Sequence, residues 1–145
     1  MSLLSTLCAA LQVPATRDAA QTPPLVLAYM GDTIYDLAVR TALIETSDAT
    51  AHGLHMKASE KVRAAAQARA AQMVLPRLSE EETTIYRRGR NAHMGSVPKN
   101  ATIAQYRAAT GLEAVLGYLY LRGRDERLLQ LLNIALHTEC EGDLT

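Results

Sequence analysis

Apolar residues occupy most of a helical wheel over 25–40 (LVLAYMGDTIYDLAVR), a pattern that marks a buried helix rather than a surface one. Val26, Leu27, Met30, Ile34, Leu37 and Ala38 fall on one broad arc, with Asp32 and Asp36 one turn apart on the other side. Thr22 supplies a cap and Pro23-Pro24 suit a first turn, so this helix is expected to run to about Ile44. Alanine-rich sequence predicts a second helix over 54–74, ended by Pro76. Ser79 followed by Glu80, Glu81 and Glu82 has the form of a capping box with acids at the positive end of the dipole. The helix it starts closes over 86–90, with bases in the last turn and Gly89 as the stop. Residues 91–100 (NAHMGSVPKN) read as loop. A fourth helix is expected over 103–121, and a fifth over 125–138 with LLQLLNIAL on its buried side. Ahead of these, 1–21 reads as a short helix docking on the core; 22–140 forms the single main unit, and 141–145 a tail.

Composition agrees with an all-α bundle. Hydrophobic residues make up 48%, mostly Ala and Leu, with no Phe or Trp. A chain of 145 residues is one ordinary domain. Its formal charge is zero, so the total argues for no partner of either sign. The distribution says more: from Lys57 to Arg107 there are ten Lys/Arg against four Glu, either a nucleic-acid footprint or a solvated face. Cys8 and Cys140 match no metal spacing and read as free thiols in a reducing compartment. The first segment has no base before Arg17 and too short an apolar run to span a bilayer, so a cytoplasmic location without membrane insertion is expected.

Two acids invite chemistry. An ionised carboxylate inside so apolar a helix needs a partner or a metal ion; otherwise Asp32 caps a helix restarting after Gly31. Thr110, Glu113, Ala114 and Gly117 recur at i, i+3, i+4 and i+7, a small-residue stripe carrying one carboxylate. Ala28 and Gly31 are small neighbours of Asp32, so the two helices can approach closely and bring Asp32 and Glu113 together. Two carboxylates meeting in an apolar setting repel unless one protonates or a divalent cation lies between them, and Mg²⁺ suits such oxygen ligands. A surface-facing Glu113 is the competing reading. Arg87, Arg88, Arg90, Asn91, Lys99 and Asn100 can hold phosphates, or dress a helix C-terminus and an ordinary loop. His52, His55, His93 and His137 have no zinc spacing, and no nucleophile elbow or glycine-rich phosphate loop occurs.

The segment AYMGDTIYDLAVR resembles the signature helix of ribonuclease III, where a Leu-Gly-Asp-Ala-Val motif carries a catalytic aspartate. GLEAVLGYLYL resembles that family's second motif, a glutamate followed by Ala and then Gly, and RRGRNAHMGSVPKNA is similar to the loop of its short Mini-ribonuclease III branch. The likeness runs over 24–136, with all three motifs in order. The resemblance implies a ribonuclease III-type helical bundle without a double-stranded-RNA-binding domain. It also implies catalytic, metal-binding roles for Asp32 and Glu113. Ala28 and Thr110 stand where full-length ribonuclease III has two further acids, so Asp36, water and phosphate oxygens are the candidates to complete the metal shell. Implied with these are Mg²⁺, with Mn²⁺ as a substitute, and hydrolysis of double-stranded RNA to 5′-phosphate and 3′-hydroxyl ends. The implied substrate is the large-subunit ribosomal RNA precursor. A homodimer and stimulation by a large-subunit ribosomal protein complete the set. The alternatives are a non-catalytic RNA-binding or ribosome-assembly protein on this fold, and a helical dimerisation module. Retention of both acids argues against the former, since a pure binder has no use for carboxylates facing a polyanion; the latter leaves the basic loop unexplained.

Overall fold

The computed structural model describes residues 1–92, 95, 96, 99 and 101–143, the last six of these as backbone only. The described residues form helices joined by turns: α1 Leu3–Leu11, α2 Pro24–Thr46, α3 Ala51–Val62, α4 Ala64–Val74, α5 Glu80–Arg90, α6 Ile103–Leu121 and α7 Asp125–Asp143. Helix α6 is the centre, packed against by α2, α4, α5 and α7. Its residues from Ala109 to Tyr120 are buried all round apart from Glu113, as expected of a helix enclosed by others. A capping box joins Thr102 to Gln105 at its start.

The crossing of α2 on α6 is set by missing side chains. A Cβ on Gly31 would lie 1.7 Å from the backbone oxygen of Glu113, and one on Gly117 would lie 1.9 Å from that of Leu27. Each glycine therefore admits the other helix's backbone. On the next face, a Cβ on Gly89 of α5 would lie 2.8 Å from that of Ala114, while Gly111 accommodates the Tyr86 ring. Gly89 is thus a packing residue within α5, and the helix closes at Asn91. The glycine stop expected there is not formed.

This crossing also turns α2 differently from the expected arc. Its buried face is Leu27, Ala28, Gly31, Ile34, Tyr35, Val39 and Leu43. The small residues must face inward to let the backbones meet, so Val26 (44% exposed) and Leu37 (62%) turn outward with Tyr29 and Ile44. Thr22 does not cap α2. Pro23 holds that position, and the buried Thr22 hydroxyl donates to the Asp18 carbonyl.

The helix expected over 54–74 is two. Arg63 takes an extended conformation (φ −69°, ψ 159°) between α3 and α4, although no proline or glycine is present. Buried Gln67 donates from Nε2 to the Val62 carbonyl at 2.7 Å, satisfying a group that the break releases. At the other end of α4, Pro76 lies in a short 3₁₀ turn, Leu75–Arg77. The Ser79–Glu82 capping box is present, and Glu82 serves twice: its carboxylate also binds Arg127 of α7 through two bonds of 2.9 Å. At the N-terminus, Leu4 packs on the core and the Leu3 amide donates to Asp125.

Candidate active site

Asp32 and Glu113 face one another across the α2–α6 crossing, one residue beyond Gly31 and level with it. They line a cleft of about 660 Å³ together with Ala28, Thr110, Gln67 and Arg63. Burial pushes the Glu113 carboxyl up to about 8, helped by the charge of Asp32 and by the hydrogen bond between the two. Asp32 is raised by burial and by the charge of Asp36, and pulled back by its bond from Glu113. At neutral pH Glu113 keeps a proton and donates it to Asp32. Asp32 and Glu113 could hold a divalent cation, whose charge would offset both carboxylates in place of the proton.

The other candidates separate. Asp36 binds Arg40 Nε with both oxygens at 3.0 Å and does not line the cleft. Among the described residues, no cluster of three or more His, Cys, Asp or Glu could hold a metal, so Asp32 and Glu113 form a two-carboxylate site. Ala28 and Thr110 both line the cleft, leaving room where longer acidic side chains would reach in. The Thr110 hydroxyl donates to the Tyr106 carbonyl one turn back.

Of the basic set, Lys99 lines the cleft. Arg87 and Arg90 are exposed at the end of α5, with Arg90 bonded to Asn91. Arg88 is committed elsewhere: its guanidinium donates to the carbonyls of Ala20 and Thr22 at 3.0 and 3.3 Å, tying the N-terminal segment to α5. Asn100 and His93 lie outside the described residues. Arg63, Gln67 and Tyr106 also line the cleft, and no motif in the sequence singles them out. High alanine content concealed the break that sets Arg63 at the cleft; a glutamine among alanines was its one visible signal.

Comparison with known proteins decides the lineage. Residues 25–124 match the Ribonuclease III domain model, a span that holds both acids and the whole α2–α6 crossing. The chain belongs to the ribonuclease III family of endoribonucleases. It is 46% identical over 113 residues to a Mini-ribonuclease 3 from Symbiobacterium thermophilum, covering 78% of this chain and 87% of that one. To the Mini-ribonuclease 3 of Brevibacillus brevis it is 46% identical over 120 residues, covering 83% and 90%. A crystal structure of a Fusobacterium nucleatum protein superposes with a TM-score of 0.77 at 28% identity, covering 86% of this chain and 99% of that one. The helical bundle is thus a ribonuclease III-type fold, and the span matched to the family includes Asp32 and Glu113.

Proposed function

We propose that this chain is a Mg²⁺-dependent endoribonuclease that hydrolyses double-stranded RNA, and that it trims the paired ends of the large-subunit ribosomal RNA precursor in the cytoplasm. The observation that carries the reading is the Asp32–Glu113 pair, two acids held together in a cleft of about 660 Å³ that Lys99 and Arg63 also line. Asp32 and Glu113 would hold the cation, with Mn²⁺ as a substitute. When bound, it supplies Lewis acidity and a lowered pKa for its water, and offsets charge on phosphate oxygens. The chain's own contribution is placement. Gly31 and Gly117 fix the two acids, and burial of Glu113 strengthens its hold on any counter-charge. Lys99, Arg87, Arg90, Asn91 and Asn100 offer cations and amides to the RNA backbone, which in A-form duplexes is read by shape and phosphate. Arg88 instead ties the N-terminal segment to α5.

Cutting both strands calls for two clefts related by a two-fold axis. Val26, Tyr29, Leu37 and Ile44 lie along one outward face of α2 and are 44, 79, 62 and 64% exposed, an apolar stripe suited to a second copy. We read the active form as a homodimer, and a large-subunit ribosomal protein that shapes the RNA as an activator.

The test is incubation with Mg²⁺ of a perfectly paired RNA, its single strands, the matching DNA duplex and a precursor stem. Cuts confined to paired RNA and leaving 5′-phosphates support the reading. Paired RNA that is bound yet left intact would return the chain to the non-catalytic alternative.

A further inference from the structure

Arg63 stands where a helix former would not place it. It occupies the N-cap of α4, a position favouring short acceptors such as Ser or Asp, and makes no capping hydrogen bond. A cation there meets the positive end of the α4 dipole, although the same residue is the C-cap of α3, whose negative end it suits. Among the described residues no carboxylate pairs with it, whereas Arg40, Arg124 and Arg127 each have one. Yet Arg63 lines the same cleft as Asp32 and Glu113.

Its position is held by Gln67, which is 2% exposed and also lines the cleft. The amide nitrogen of Gln67 ties down the Val62 carbonyl, but its Oε1 is buried with no hydrogen-bond partner among the described residues. A local rule is broken at Arg63, and a buried acceptor is left unsatisfied beside it, at the one break in an otherwise strongly helical stretch. Such coincident departures are expected where a site, rather than stability, sets the sequence.

We propose that Arg63 is a backbone clamp: its guanidinium takes a phosphodiester of the RNA strand lying in the carboxylate cleft, and Gln67 is the positioning residue that keeps α3 and α4 apart so that it can. The clamp rests on the proposed function. A guanidinium grips phosphate through forked bonds, and supplying it from the wall of the cleft brings the polyanion to two acids that would otherwise repel it.

The experiment compares the full-length wild type with Arg63→Asn, Arg63→Lys and Gln67→Leu. It measures paired-RNA affinity over a salt series without divalent cation, cleavage with Mg²⁺, and melting temperature. Loss of one phosphate contact predicts, for Arg63→Asn, affinity weakened about tenfold and the slope of log K against log salt reduced by about one. Because Asn is the better cap, its melting temperature should hold or rise. Arg63→Lys should keep the slope while losing part of the affinity. Gln67→Leu should weaken binding in the wild type and add nothing in the Arg63→Asn background. Unchanged affinity and slope in Arg63→Asn, with a wild type that cuts paired RNA, would overturn the clamp alone; so would an Arg63→Asn chain that melts early. A wild type that neither binds nor cuts paired RNA would overturn the clamp together with the reading on which it rests.

Discussion

Gly31 and Glu113 touch backbone to backbone: a Cβ on the first would stand 1.7 Å from the carbonyl oxygen of the second. The residue after Gly31 is Asp32, so the contact that lets two helices close is also the contact that pairs the two acids. A fold determinant and a site determinant are here the same point.

Gly31→Ala should therefore damage stability and site together. The neighbour is backbone and cannot swing aside, so the helices must separate, at a cost of about 3 kcal/mol or more. Gly117→Ala, whose Cβ would meet the Leu27 oxygen at 1.9 Å, should behave alike, whereas Gly95→Ala meets nothing within 4 Å among the described residues and should leave stability unchanged. Denaturant titration of the three variants checks this.

The Glu113 carboxyl makes the metal-free protein sensitive to base. Its ordinary value of 4.5 is raised to about 8 in the folded state, so between these values the folded chain holds more protons than the unfolded one. Stability must then fall as pH rises through that window, by an amount on the order of a few kcal/mol. Glu113→Gln, which carries no charge to bury, should flatten the dependence and melt above the wild type at pH 8 without metal. Mg²⁺ should lift the wild type at that pH and leave the variant unmoved. Melting curves at pH 5 and pH 8 provide the comparison.

Glu82 has the opposite sign. Its hydrogen bonds from Arg127, then the Ser79 amide, hold it below the ordinary 4.5 against the effect of burial. The stability it contributes is present above 4.5 and lost as pH falls through its lowered folded value. Arg127→Ala should cost about 2 kcal/mol at pH 7 by stranding a buried carboxylate, and the gap from wild type should close in acid. Urea midpoints at pH 7 and below pH 4 read this directly.

Much of this was legible in the sequence. Small residues at Ala28, Gly31, Thr110, Ala114 and Gly117 announced a close helix crossing, and the Ser79–Glu82 box marked α5. The rotation of α2 was not legible. Val26 and Leu37 look like core on a wheel, and only the demand that Gly31 face Glu113 turns them out. The break at Arg63 was hidden for a different reason: alanine propensity points to one helix, and the hydrogen bond from Gln67 to Val62 that supports two is a tertiary feature with no periodic signature. Arg88 read as a phosphate ligand because nothing local told that the Ala20 and Thr22 carbonyls would take its guanidinium.

The outward face of α2 supplies a prediction of assembly. Leu37→Glu places a charge in the middle of the exposed stripe of Val26, Tyr29 and Ile44. In sedimentation experiments the wild type should run as a dimer and the variant as a folded monomer, with paired-RNA cleavage reduced at least tenfold, about the effect of 1.4 kcal/mol. Equal sedimentation of the two would place any dimer contact elsewhere.

The most direct test of the central claim is cleavage of paired RNA by Asp32→Asn and Glu113→Gln beside the wild type, over a titration of Mg²⁺. Both variants should bind RNA at least as well as the wild type, Asp32→Asn because the cleft loses a negative charge and Glu113→Gln because the protonated carboxyl it replaces is neutral too, and neither should cut at any metal concentration that saturates the wild type. If either variant cuts at the wild-type rate, the Asp32–Glu113 pair is not the catalytic centre.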